Sequence, residues 1–312
     1  MPFSEAETTA CRRLVEMALE EDLGGIGDIT SRTFIPPKLE GRAVFIARSN
    51  GVVAGLPAAQ MVFQTAHTPL VKFEALVEDG VRVAPGARLA VVSGLMEFIL
   101  TGERTALNFL QHMSGIASLT RKYVDAIAGL PCKILDTRKT LPGWRLLEKY
   151  AVRQGGGHNH RMGLFDGILV KDNHLAAWPE KELFKTVILA IRSHHPVLLK
   201  KWGEFPSARI LEETFNLPLE IEVENSDQLP WALSCNPDIV LLDNMSLGLL
   251  RLAVEQRNDV GSKALLEASG GVTLDTVRAI AETGVDRISI GALTHSALAL
   301  DIALDLVRND EG

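Results

Sequence analysis

The run from Leu219 to Ser296, LEIEVENSDQLPWALSCNPDIVLLDNMSLGLLRLAVEQRNDVGSKALLEASGGVTLDTVRAIAETGVDRISIGALTHS, decides the fold. Four short apolar runs in it, LEIEV, DIVLL, ALLEAS and RISIG, each give way at once to polar residues, with helical patterns between them. Two runs of the same kind precede it, KILD ending at Asp136 and GILV ending at Val170. Strand, polar loop and helix repeated in this way require right-handed crossovers and build a parallel sheet covered by helices. About six or seven strands in roughly 165 residues favour a closed or nearly closed α/β barrel over an open doubly wound sheet. Such folds keep their chemistry at the C-terminal ends of the strands.

The residues just past the strands are DTRKT, KDNH, EVEN, DNM, SGG and GALTHS, almost all polar. Arg138, Lys139, Arg161 and Lys171 supply positive charge there, joined by Arg145, His158, His160 and His174 in the same region. Arg grips a carboxylate through two bonds, whereas Lys is a point charge suited to phosphate. Glu222 and Asp243 offer oxygen ligands of the kind Mg²⁺ prefers, although Asp243-Asn244 could equally cap the helix starting near Ser246. Ser269, Gly270 and Gly271 lie between a strand and the pattern TLDTVRAIAETG, so bare backbone and the first N–H groups of a helix could meet a phosphate there. Gly291 and His295 follow the next strand and could close the same site. Gly155-Gly156-Gly157 reads equally as a flexible turn or a functional loop. Lys139 could form a Schiff base if desolvated beside Arg138, although anion binding explains it more simply.

Outward from the barrel pattern, Ser4 and Glu7 form a capping box, and a helix of about four turns runs to Gly24-Gly25. Residues 42–92 carry the β-type runs AVFIA, GVVAG, FEALV and LAVVS between Gly and Pro turns, a small sheet domain. Glu97 to Leu130 returns to helical periodicity, with Ser114-Gly115 a natural break between two helices. The expected division is therefore an N-terminal α/β sandwich domain over 1–115, a barrel over 116–296 and a C-terminal helix over 297–312.

The chain has 312 residues, 46% of them hydrophobic, and a formal net charge of -7. That balance excludes a disordered chain and a general nucleic-acid binder, which needs a basic face to release counterions. A local cation cluster in an acidic chain suits a small anion. Cys11, Cys132 and Cys235 are far apart and form no CxxC pair, so neither a disulfide framework nor a zinc site is expected, and a reducing cytoplasm is. No segment approaches the roughly 18 apolar residues of a membrane span.

These motifs, with EEDLGGIGDIT, VEDGVRVAPGARLAVVSG, GERTALNFLQHMSGIAS and the long run DTRKTLPGWRLLEKYAVRQGGGHNHRMGLFDGILVKDNH, resemble the quinolinate phosphoribosyltransferase family across nearly the whole chain. The resemblance implies an N-terminal α/β sandwich joined to an incomplete α/β barrel with parallel strands. It also implies a decarboxylating pentosyltransferase of NAD biosynthesis, acting on quinolinate and phosphoribosyl pyrophosphate with Mg²⁺. By position, quinolinate would be held by Arg138, His160, Arg161 and Lys171, with Arg104 entering from the neighbouring subunit of a homodimer or larger homo-oligomer. Lys139 would lie between the two substrates, and Glu222 and Asp243 would hold Mg²⁺ and the ribose hydroxyls. Ser269, Gly270, Gly271, Gly291 and His295 would bind the 5-phosphate. Lys139, Glu222 and Asp243 are the residues the resemblance places nearest the reacting atoms.

The distance from His174 to Glu222 is longer than the family pattern by about one helical hairpin, with the surplus around 193–216; it suggests a surface or oligomer-contact insertion. Competing expectations are a same-fold transferase for another heterocyclic acid, a Schiff-base lyase using Lys139 or Lys171, and a non-catalytic sugar-phosphate-binding protein. Neither a nucleic-acid partner nor a membrane is expected.

Overall fold

The computed structural model describes residues 2–67, 70–178, 180–192 and 216–307. Apart from Asn216, the surplus expected around 193–216 lies outside them. The chain forms two compact units that interleave in sequence, one of Met1–Asp125, Lys139–Asn159 and Gly291–Gly312, the other of Ala126–Arg138 and His160–Ile290.

In the first unit, helix α1 (Glu5–Leu23) starts at the capping box: the Ser4 N–H donates to Glu7 and the Glu7 N–H to Ser4 Oγ. Gly24, at φ 51, ends it. Helix α2 (Ile29–Phe34) follows, N-capped by Asp28, whose carboxylate accepts from the Ser31 N–H. Strands β1 (Glu40–Ala47), β2 (Gly51–Val52), β3 (Val71–Ala75), β4 (Arg82–Val83) and β5 (Arg88–Leu95) then flank helix α3 (Leu56–His67). Phe45, Phe63 and Phe73 sit with ring centroids 5.9 to 6.3 Å apart in the core of this sheet and α3.

Helix α4 runs unbroken from Met96 to Ala126, so the break expected at Ser114-Gly115 does not occur. Both residues are used for close packing. Ser114 Oγ accepts from the Ala54 N–H and donates to the Ala54 carbonyl, and a Cβ on Gly115 would lie 2.2 Å from the Leu298 carbonyl oxygen. A glycine inside a helix here serves a neighbouring backbone.

The helix expected over 297–312 is, in its described part, a strand. After residues 297–301, β12 (Ile302–Leu306) pairs antiparallel with β1, completing a sheet of order β12-β1-β5-β3. Its Ile-Ala-Leu-Asp-Leu sequence serves an edge strand with one side on the core, and β1 would otherwise present a row of unpaired backbone groups.

In the second unit, all six strands expected from the sequence form: β6 (Lys133–Leu135), β7 (Ile168–Val170), β8 (Leu219–Val223), β9 (Ile239–Asp243), β10 (Leu265–Ser269) and β11 (Arg287–Ser289). They are parallel throughout, in the order β6-β11-β10-β9-β8-β7. That is the cyclic order of a barrel, with the first strand beside the last and no reversal at a switch point. Among the described residues β6 and β7 do not pair, so the barrel is incomplete. The residues joining those two strands, 139–159, carry helix α5 (Arg145–Gln154) and belong to the first unit. No helix among the described residues is long and apolar enough to cross a membrane.

Candidate active site

Strand β8 alternates Leu-Glu-Ile-Glu-Val, and the sheet register carries that alternation across its neighbours. Glu220 pairs with Ile239 and Glu222 with Leu241, Leu241 with Glu267 and Asp243 with Ser269, and Glu267 with Arg287. Successive side chains point to opposite faces, so one face of the sheet collects Glu220, Glu222, Asp243, Glu267, Ser269 and Arg287. The other carries Ile221, Val223, Val240, Leu242, Leu266, Ala268 and Ile288, all buried. This is the apolar face that crossover helices cover, and the charged face is left to the chemistry.

Cations gather at the strand ends of that unit. Arg138, just past β6, is exposed. Arg161 lies near enough to feel it: burial lowers the Arg161 pKa first and the Arg138 charge lowers it further, with Glu220 and Asp166 opposing. Two guanidiniums that repel each other mark a place suited to an anion. Arg161 is also tethered, its Nη1 donating to the Gly167 carbonyl at 3.0 Å. Lys171, just past β7, points its Nζ to Glu222 Oε2 at 2.5 Å. His174 serves this lysine through the backbone, its Nδ1 accepting from the Lys171 N–H at 2.9 Å.

His160 is nearly enclosed on the charged face. Its backbone N–H donates to Asp136 Oδ1 at 2.8 Å, and its Nε2 lies 3.0 Å from Glu220 Oε2 and 3.4 Å from Glu267 Oε1. Arg287 Nε stands 2.7 Å from the other oxygen of Glu267. Burial works against a charged imidazole here, and the two carboxylates outweigh it, raising His160 to about 9. The Arg161 N–H, 2.8 Å from Nδ1, resists the second proton: an imidazolium would set two N–H donors against each other. Nε2 carries a proton in either charge state and faces the two carboxylates. Sequence reasoning missed Glu220, Glu267 and Arg287, although the alternation in LEIEV already placed Glu220 on the face of Glu222.

The SGG turn is shaped by backbone. Gly270 has φ 95 and Gly271 φ 58, and a Cβ on Gly270 would lie 2.6 Å from Asn244 Oδ1 and 3.0 Å from Asn244 N. Asn244, itself at φ 56, donates its N–H to the Ser269 carbonyl. Asn244 is thus part of the turn next to SGG. The cap of the helix Leu247–Asp259 is Ser246, whose Oγ accepts from the Leu249 N–H. The helix expected directly after SGG begins only at Val277, after a turn opened at Thr273, and is five residues long. A phosphate at Gly270-Gly271 would therefore meet turn N–H groups, without a helix end behind them.

The remaining candidates belong to the first unit. A Cβ on Gly291 would lie 2.9 Å from Lys139 Cδ and 3.1 Å from His295 Nε2, so Gly291 keeps those two side chains close together. Thr294 Oγ1 donates to the Lys139 carbonyl at 2.7 Å, fixing that backbone. Arg104 stands exposed on α4. Arg145 donates from Nε to Thr140 Oγ1, a local bond at the start of α5. Gly155 and Gly157 settle the two readings of the GGG run in favour of packing: a Cβ at either would lie 2.5 to 2.7 Å from Thr120 side-chain atoms on α4.

Glu222 and Asp243 stand two residues apart in register on one face of adjacent strands. Magnesium takes one or two protein carboxylates and completes its shell with substrate oxygens and water, so this donor pair fits an ion arriving with a phosphate-rich substrate. His160, Glu220 and Glu267 also bring ligand atoms within 4.8 Å, but Arg287 already supplies the positive charge there.

Two family models match consecutive parts of the chain: "Quinolinate phosphoribosyl transferase, N-terminal domain" over residues 28–114 and "Quinolinate phosphoribosyl transferase, C-terminal domain" over 116–305. The chain belongs to the quinolinate phosphoribosyltransferase family. Among its relatives in this family, the nicotinate-nucleotide pyrophosphorylase (carboxylating) of Mycobacterium leprae (strain TN) is 40% identical over 306 residues, covering 97% of this chain and 100% of that protein. The mitochondrial quinolinate phosphoribosyltransferase (decarboxylating) 2 of Nicotiana glauca is 40% identical over 297 residues, covering 95% of this chain and 82% of that protein. The crystal structure of nicotinate-nucleotide pyrophosphorylase from Ehrlichia chaffeensis superposes with a TM-score of 0.82 at 38% identity, over 98% of this chain and 100% of that one. The fold is that of quinolinate phosphoribosyltransferases, as the barrel pattern and motifs led us to expect.

Proposed function

We propose that this pentosyltransferase moves the phosphoribosyl group of phosphoribosyl pyrophosphate to quinolinate with loss of CO₂, giving nicotinate mononucleotide and pyrophosphate in NAD biosynthesis. The observation that carries the proposal is that one barrel unit holds Arg138 just past β6, Lys171 just past β7 and, between them in sequence, Arg161, whose guanidinium is tethered to the Gly167 carbonyl and feels the repulsion of Arg138. A dianionic pyridine relieves that repulsion, and each charge-assisted hydrogen bond contributes roughly 1.5 to 3 kcal/mol. Lys171 adds a third cation in the same unit once it shares or leaves Glu222, and Arg104 of a neighbouring subunit supplies a fourth in a homodimer or larger assembly.

The glycine turn Ser269-Gly270-Gly271 offers backbone N–H groups to the 5-phosphate, with Gly291 and His295 assigned to the same group and Lys139 to the span between the substrates. Glu222 and Asp243 would hold Mg²⁺, which when bound offsets the charge on the departing pyrophosphate. As the ribose carbon becomes oxocarbenium-like, Glu222 or Asp243 stabilises its charge from the face of the sheet. Attack by the pyridine nitrogen leaves a cationic ring that stabilises the electron pair left on the ring carbon when the adjacent carboxylate departs as CO₂, and a proton from water then takes up that pair. No organic cofactor enters this scheme. We place the enzyme in the cytoplasm, in keeping with three buried, unbridged cysteines, Cys11, Cys132 and Cys235.

The test is release of labelled CO₂ from carboxyl-labelled quinolinate, with phosphoribosyl pyrophosphate and Mg²⁺ each present or omitted. Release should need both, and nicotinate should compete poorly. Binding of phosphoribosyl pyrophosphate without CO₂ release would redirect the search to another acceptor.

A further inference from the structure

We propose that the cavity beside the C-terminal half of α4 is a second anion site, which takes a small organic phosphate of about mononucleotide size. The cavity lies wholly in the first unit, has a volume of about 560 Å³ and is lined from α4, from residues 49–52 and 82–83 and from residues 296–300. That volume is in the range of small-molecule sites. None of its lining residues is a candidate for the active site. Arg121 on its wall stands roughly five turns, or about 25 Å, further along the same helix than Arg104.

The charges on the wall do not balance. Asp125 is its one carboxylate among the described residues, and both Asp125 oxygens accept from Arg82 Nη2, at 2.7 and 2.6 Å. Arg121 and Lys122 are left over. Arg121 Nε is buried without an acceptor, and neither cation has a side-chain hydrogen bond or ion pair among the described residues. A guanidinium keeps its charge, and a buried polar atom without a partner calls for one. The glycine run seats this guanidinium. A Cβ on Gly156, at φ 86, would lie 3.1 to 3.2 Å from Arg121 Cζ and both Nη atoms, so the flat face of the fork rests on backbone. Its N–H groups, which lie in the plane, remain for an anion.

The chemistry of the ligand follows from the wall. Arg supplies two parallel bonds and Lys a point charge, a combination suited to phosphate. Leu119, Leu298 and Leu300 make the remainder apolar, and Leu298 is 88% exposed. Inorganic phosphate would leave Leu298 in water, whereas a phosphate carrying a planar or apolar body would cover it.

The probe is adenosine monophosphate, titrated calorimetrically into the full-length protein. It should bind at a site that Arg121→Gln weakens at least tenfold, as for one lost charge-assisted hydrogen bond. Lys122→Gln should weaken it about threefold, because Lys122 is exposed. Arg121→Lys, which keeps the charge without the fork, should fall between the parent and Arg121→Gln. Adenosine, without the phosphate, and ribose 5-phosphate, without the base, should each bind at least tenfold more weakly. Gly270→Ala, in the turn assigned to the 5-phosphate, should leave this affinity within about twofold. Absence of binding to the parent, equal affinity in Arg121→Gln, or loss of binding in Gly270→Ala overturns the proposal. Thermal unfolding separates binding from packing: Arg121→Gln removes an unpaired, half-buried charge and should unfold at the parent's temperature or above it. A lowered midpoint would make Arg121 a structural residue and overturn the site. No step uses quinolinate, so the result stands apart from the proposed function.

Discussion

Lys171 Nζ and Glu222 Oε2 lie 2.5 Å apart at the ends of adjacent parallel strands. One is assigned to quinolinate and the other to Mg²⁺, yet here each neutralises the other. Quinolinate and Mg²⁺ in those places would each break this ion pair, and either one, by taking its half, would free the other half for its partner. Glu222→Gln should tighten quinolinate binding about threefold by releasing the lysine, a modest gain because Lys171 is partly exposed. The same change should lower Mg²⁺-dependent turnover at least tenfold. Calorimetry and a Mg²⁺ titration of the steady-state rate measure the two effects separately.

Arg138→Ala and Arg161→Ala should each raise the KM for quinolinate at least tenfold, with the KM for phosphoribosyl pyrophosphate changed much less. Steady-state kinetics with each substrate varied in turn gives the comparison. Equal losses for both substrates would remove the guanidinium pair from the quinolinate pocket.

Arg104 is proposed to act in the neighbouring subunit. Arg104→Ala and Arg161→Ala proteins, each nearly inactive, should regain activity when dissociated and mixed, because one heterodimer site then lacks both defects. About a quarter of wild-type activity is expected from equal mixing. No recovery after verified subunit exchange would place Arg104 in its own subunit's site.

Gly270 combines φ 95 with the close approach of Asn244. Gly270→Ala should destabilise the protein by about 1 to 3 kcal/mol, and weaken phosphoribosyl pyrophosphate at least tenfold by reshaping the turn. Thermal unfolding and titration with phosphoribosyl pyrophosphate report the two parts.

Glu267 is fully buried, and its pKa is lowered: burial pushes it up, and bonds and charge from His160 and Arg287 more than offset that. A carboxyl depressed in the folded state contributes stability above its unfolded value, near 4.3, and loses it as the pH falls through the folded value. Arg287→Met removes part of the depression, so protonation starts at higher pH. The acid-unfolding midpoint should shift upward, with a loss of about 3 to 5 kcal/mol at neutral pH from a buried carboxylate left with His160 alone. Circular dichroism against pH and urea gives both.

The barrel strands were legible because each pairs a short apolar run with an abrupt polar end, a local signal. DIVLLD and LLEAS became β9 and β10 with their acidic and glycine-rich ends where expected. Register was not local: that Glu220, Glu267 and Arg287 share one face with Asp243 follows from strand order, which no single segment encodes. Gly115 and the region beyond Ser296 misled for the same reason. A helix-breaking glycine was retained to admit the Leu298 carbonyl, and a stretch compatible with helix became a strand because β1 had an open edge. The SGG signal gave the right turn and the wrong support, since the helix behind it starts at Val277, four residues later than the pattern from Thr273 suggests.

The edge strand β12 also bears on how the chain is made. The sheet it completes begins with β1 at residue 40 and ends at residue 306, so the first unit cannot close until residue 306 has left the ribosome. The barrel unit, whose last residue is Ile290, is finished earlier in synthesis although it lies later in name. Until then β1 offers a bare strand edge to any passing chain, which is where association between nascent copies would begin.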